Sequence, residues 1–180
     1  MEKLIAYHCA PALAGIKPSN IVTCYKDRIE NLHEKIESLN CQLNKKDIYV
    51  EILCECEKKA LVMVYRKNAL EKALNGEVVR EFLIKQGYPE KGKVEDYIAV
   101  LKKHLTREEF SHEIGAFLGY PMHDIYGFMY HKDEGCLLCG EWKVYENADA
   151  AEKLFHRFKC CRRALCEKID SGKTLAQMFC

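Results

Sequence analysis

Residues able to do chemistry gather in three places in this chain. The first is the run His112-Glu-Ile-Gly-Ala-Phe-Leu-Gly-Tyr-Pro121. If a helix opens near Ser111, His112 sits in its first turn, where the dipole keeps it neutral and able to act as a base or ligand; if the helix opens at Arg107, His112 is interior. The second is Tyr7-His8-Cys9-Ala10-Pro11. A cysteine between a histidine and a proline turn is a candidate activated thiol, if a base or a positive charge reaches it. Adjacent residues on an extended chain point oppositely, so His8 is a poor partner for Cys9 and His112 is the natural one. The third is Cys136-Leu-Leu-Cys139, which has the spacing of half a zinc knuckle. It lacks a matching second pair, because Cys54-Glu-Cys56 is spaced differently and Cys160, Cys161 and Cys166 fall on one helical stretch. Iron or zinc through Cys and His is therefore the weakest of the three chemistries. Each feature also has a plain structural counterpart: an inert buried thiol, a hydrogen-bonded histidine, a tightly packed helix.

The His112 run has two further properties. Gly115 and Gly119 stand four apart, leaving one side of a helix without side chains. Glycine inside a helix costs about 1 kcal/mol relative to alanine, so another backbone or a ligand is expected close by. The order helix, Leu-Gly-Tyr-Pro turn, helix also has helix-turn-helix grammar. The second helix would present His123, Asp124 and Tyr126, with no Arg or Lys before Lys132, which does not suit a DNA groove. With a net charge of +1, nucleic acid is not expected as a partner. No phosphate-binding loop, dinucleotide fingerprint or nucleophile elbow is present. His112-Glu113 opens like a zinc-protease helix, but Ala116 stands where its second histidine would be.

These residues must be positioned by an α+β framework. Ala6 to Ile16 is an apolar stretch broken by Pro11, Gly15 and Pro18, which predicts a short element, a loop and then a strand over 20–25. Ile29, Leu32, Ile36, Leu39 and Leu43 recur at helical spacing over 27–43. Alternation of Ile48, Val50, Ile52 and Cys54 predicts a strand that forms a hairpin with the apolar run 61–65. Helices are predicted over 68–74, 78–86, 93–105, 107–118, 122–130 and 148–169, the fourth opened by the capping-box spacing of Thr106-Arg-Glu-Glu109. One more strand is predicted over 138–145, and Asn147 as the cap of the last helix. Phe82…Gly87-Tyr88-Pro89 is echoed by Phe117…Gly119-Tyr120-Pro121, which convergent helix-end chemistry explains. The expected architecture is a small, mainly antiparallel sheet packed by helices, with a helix-rich C-terminal half, in a single domain over 1–180.

The totals agree. An apolar content of 48% and a charged content of 31% over 180 residues are those of an ordinary globular protein. No apolar run is long enough to span a bilayer, and the apolar start is too short for a signal peptide. Eleven cysteines, an odd number, then predict free thiols and a cytoplasmic location.

Five stretches together resemble a bacterial family: His8-Cys-Ala-Pro, Ala14-Gly-Ile-Lys-Pro18, the 112–121 run, Cys139-Gly-Glu-Trp-Lys-Val-Tyr145 and Cys161-Arg-Arg-Ala-Leu-Cys166. The family is the domain-of-unknown-function family three-seven-nine-three, found mainly in anaerobic Gram-positive bacteria. The resemblance runs through nearly the whole chain in order. It implies a cytosolic bacterial protein and marks His8, Cys9, His112, Glu113, Gly119, Cys139 and Trp142 as motif positions, but it brings no activity and no cofactor. Two functions are expected from the residues. In one, Cys9 and His112 form a pocket for thiol chemistry or a small ligand, with His8, Glu113, Tyr120 and Trp142 contributing. In the other, the 112–128 corner is a non-catalytic regulatory or protein-interaction surface.

Overall fold

The computed structural model describes residues 1–106 and 111–179. The frame is a three-stranded antiparallel sheet of β1 (Ser19–Tyr25), β2 (Ile48–Glu55) and β3 (Lys59–Arg66), with β3 in the centre. Period-two alternation along β3 divides the core. Ala60, Val62 and Val64 face one helical layer, while Leu61, Met63 and Tyr65 face the other. The first layer holds α1 (Glu2–Leu13), α2 (Leu32–Leu43), α8 (Ala148–Asp170) and α9 (Leu175–Phe179). The second is built from α3 (Lys67–Leu74), α4 (Glu77–Lys85), α5 (Val94–Leu105), α6 (Ile114–Phe117) and α7 (Met122–His131). A short hairpin of β4 (Leu138–Cys139) and β5 (Lys143–Val144) bridges α7 to α8. Among the described residues no helix is long and apolar enough to cross a membrane.

Several elements differ from expectation for local reasons. The first is α1, which runs as a helix through Pro11. Proline lacks the N–H that would bond the Tyr7 carbonyl. That carbonyl instead accepts from Arg162 Nε of α8 at 2.8 Å, and Ala12 N donates to Asn20 Oδ1 of β1 at 3.0 Å. Long-range partners thus carry a helix through a residue that reads as a breaker. In the second strand the alternation holds through Ile52. An irregularity there brings Cys54 opposite Leu61, out of the face it would have shared with Ile52. The predicted strand over 138–145 is really two short strands folded back on each other. Asn147 adopts a left-handed conformation (φ 54°) and makes no side-chain capping bond. Of the capping box at 106–109, positions 107–109 lie outside the described residues, while Thr106 ends α5 and donates its hydroxyl to the Lys103 carbonyl at 2.8 Å.

Four helix ends follow one rule. Ile16 N bonds Pro11 O and Gly15 N bonds Ala12 O, the paired bonds of a Schellman stop. The same pair closes α4 at Gly87, α6 at Gly119 and α8 at Gly172, and all four glycines have positive φ. The echo of Gly87-Tyr-Pro89 and Gly119-Tyr-Pro121 is this motif used twice. The two sites differ in surroundings, however. A Cβ on Gly119 would lie 2.6 Å from Pro18 Cδ, whereas one on Gly87 would meet nothing within 4 Å. Gly119→Ala should therefore cost about 2–4 kcal/mol, left-handed strain plus overlap, and Gly87→Ala only about 1–2. Urea denaturation of the two variants checks this; equal losses would show that the Pro18 contact contributes nothing.

Candidate functional site

Between α6, α7 and the β4–β5 hairpin lies a cavity of about 190 Å³. Its walls include His112, Tyr120, Asp124, Phe128, Trp142 and Lys143. Three residues singled out from the sequence, His112, Tyr120 and Trp142, thus share one space. His112 sits just before the single turn of α6, with its ring 5.7 Å from that of Phe128. The Lys143 ammonium lies over the same Phe128 ring at 5.3 Å and pairs with Asp133. Tyr120 stacks at a tilt on Trp142, with ring centroids 4.8 Å apart, and donates its hydroxyl to the Glu141 carbonyl at 3.2 Å. Burial, aided by the Glu141 charge, pushes that phenol up to about 12, so it stays protonated.

The cavity is held open by Asp124, which sequence reasoning treated only as part of a possible reading helix. Asp124 is 3% exposed. Its Oδ2 accepts from Trp142 Nε1 at 2.7 Å and its Oδ1 from Tyr145 N at 2.7 Å. This carboxylate pins the hairpin to the start of α7. The only sequence signal was an acid in a first helical turn, a common dipole pairing that says nothing of burial. Two glycines complete the joint. A Cβ on Gly127 would lie 2.4 Å from Tyr145 Cγ, and one on Gly140 would lie 2.4 Å from Phe155 Cε2.

The remaining sequence candidates lie elsewhere. Glu113 points away from His112, into the second layer, where Oε1 meets His104 Nδ1 at 2.6 Å and accepts from Tyr88 OH at 3.4 Å. Cys9 is fully buried in the first layer, against the sheet and α8. Burial, reinforced by neighbouring Cys24, pushes its thiol well above the ordinary range, the opposite of an activated thiolate. Cys9 and His112 therefore do not share this cavity. Because α1 is helical rather than extended, Cys9 turns inward while His8 stays on the exposed side. There the His8 ring meets Tyr7 edge-on at 4.9 Å, and desolvation, then the Arg162 charge, lowers its pKa. Cys136 donates its thiol to the Leu138 carbonyl at 3.3 Å, and Cys139 is exposed on β4. Among the described residues no group of three or more His, Cys, Asp or Glu side chains is arranged to hold a metal.

The fold and the site define an α+β protein with an aromatic-walled cavity held by a buried carboxylate. Its family follows from the chain as a whole: the profile described as Protein of unknown function (DUF3793) matches residues 5–179, and the chain belongs to that family. No curated protein and no solved structure matches it.

Removing the pin tests this construction. Asp124→Ala leaves the Trp142 and Tyr145 N–H groups without their acceptor. It should cost about 2–4 kcal/mol in urea denaturation and shift the emission of the sole tryptophan to the red. Unchanged stability and emission would show that the hairpin is seated by other contacts.

Proposed function

We propose that this protein binds a small molecule in the cavity beside His112, and that Cys9 takes no part. The supporting observation is the convergence of an imidazole, an ammonium and three aromatic rings on one partly enclosed space. Aromatic walls with few polar groups are the usual makeup of a ligand site. The space suits a single ring with one substituent, roughly 8–10 non-hydrogen atoms by comparison with cavities that hold benzene. His112 and Lys143 lie on the Phe128 side, which favours an acidic or acceptor substituent there. Tyr120 and Trp142 offer faces to the ring. The alternative of a partner-docking corner at 112–128 has less support, because Gly115, Phe117, Ile125 and Gly127 of that corner are buried in the protein itself.

Trp142 is the only tryptophan and lies in the wall, so its fluorescence reports occupancy directly. Benzoate should change the emission saturably, and neutral benzamide should bind more weakly. Lys143→Ala should weaken benzoate about tenfold, the worth of one charge-assisted hydrogen bond, while leaving benzamide nearly unchanged. Flat titrations with both compounds up to about 10 mM would rule the reading out.

A further inference from the structure

A groove of about 580 Å³ runs along a different face of α7 from the cavity beside His112 and shares no wall residue with it. Tyr126, Tyr130 and Tyr145 line it, together with Glu134 and Glu146. Tyr126, Gly127 and Tyr130 fall at three- and four-residue steps and so share one face of the helix. Separate contacts place the rings. Tyr126 meets Phe82 edge-on at 5.7 Å. Tyr130, one turn further on, lies nearly parallel to Tyr126, with ring centroids 6.2 Å apart and 16° between the planes. The Tyr145 ring fills the space that a side chain on Gly127 would take, and its hydroxyl donates to the Lys132 carbonyl. Tyr130 is 73% exposed, more than any other large apolar side chain among the described residues. One exposed ring means little, but three rings beside two carboxylates make a patch of defined chemistry.

The charges set the sign of what the groove attracts. Its wall holds Glu134 and Glu146, both exposed, and no lysine or arginine. Of the nearest basic side chains in the sequence, Lys143 is taken up by Asp133 and Lys132 is not in the wall. His123, which is in the wall, brings Nε2 to 3.6 Å from Asp124 Oδ1. His131 completes the wall from the exposed last turn of α7. Aromatic faces and carboxylates both attract cations, and here they act on the same space.

We propose that this groove binds a methylated ammonium ion, the cationic end of a small choline-like molecule. Aromatic faces are the means by which proteins recognise quaternary ammonium groups. A primary ammonium is strongly hydrated and gives up more on leaving water, whereas methyl groups gain by lying against rings. An acidic group on the same ligand would face Glu134 and Glu146, so a simple cation fits better than a phosphorylated or zwitterionic one. The site stands apart from the cavity beside His112, and either can fail without the other.

The test is titration of choline into the isotopically labelled full chain at constant ionic strength, followed by the amide signals of Gly127 and Gly135, both in the wall. Saturable shifts with a Kd of about 1–10 mM are expected. Dimethylbutanol, the neutral carbon isostere of choline, should bind at least about tenfold more weakly. Tyr130→Ala, at an exposed position that leaves the core intact, should weaken choline about fivefold. No saturable shift up to about 50 mM choline, equal binding of dimethylbutanol, or wild-type affinity in Tyr130→Ala would each overturn the proposal. Phosphocholine binding more tightly than choline would overturn it as well, in favour of a lipid headgroup.

Discussion

The N–H that Pro11 lacks is the constraint on which much of the architecture turns. A helix carried through proline must satisfy the exposed Tyr7 carbonyl, and Arg162 does so. The same guanidinium holds Glu141 at the tip of the β4–β5 hairpin. One side chain of α8 thus joins the first helix to the hairpin, which in turn forms a wall of the cavity. Asn20 repairs the adjoining gap from the sheet side. Local weakness in α1 has been converted into attachment points for three other elements.

A second theme is how little chain the cavity needs. Its three sides are one turn of α6, a helix of ten residues and a hairpin with two-residue strands. None would be stable alone. They are held by one buried carboxylate, by rings seated on glycine, and by the Ser19 hydroxyl, which donates to the Phe117 carbonyl at 2.7 Å and ties α6 to β1. Polar groups buried in this way must all be satisfied together, which makes the arrangement specific.

The sequence was most legible where one period governs one element. Ile29, Leu32, Ile36, Leu39 and Leu43 are all buried as their spacing predicts, although the helix begins only at Leu32. The central hairpin and the helices over 68–105 are likewise as expected. Legibility failed where a distant residue decides a local outcome. Nothing near Pro11 announces Arg162, and nothing near Asp124 announces Trp142. The pairing of Cys9 with His112 is another such case, because α1 turns Cys9 into the first layer while His112 borders the cavity beside α6 and α7. Of the candidate site, His112, Tyr120 and Trp142 could be named but Asp124 and Phe128 could not. The first three stand in unusual local sequence, whereas the others look like ordinary helix residues.

The glycine–ring contacts at Gly127 and Gly140 have a further consequence. Each ring occupies the space where a Cβ would stand, so the hairpin cannot slide by a fraction of a residue and keep its contacts. It is either fully seated or fully released, like a snap fastener. Intermediate positions lose the Tyr145 and Phe155 contacts together with the Asp124 bonds. Loosening of this region should therefore be cooperative rather than graded, with hairpin and cavity opening as one unit.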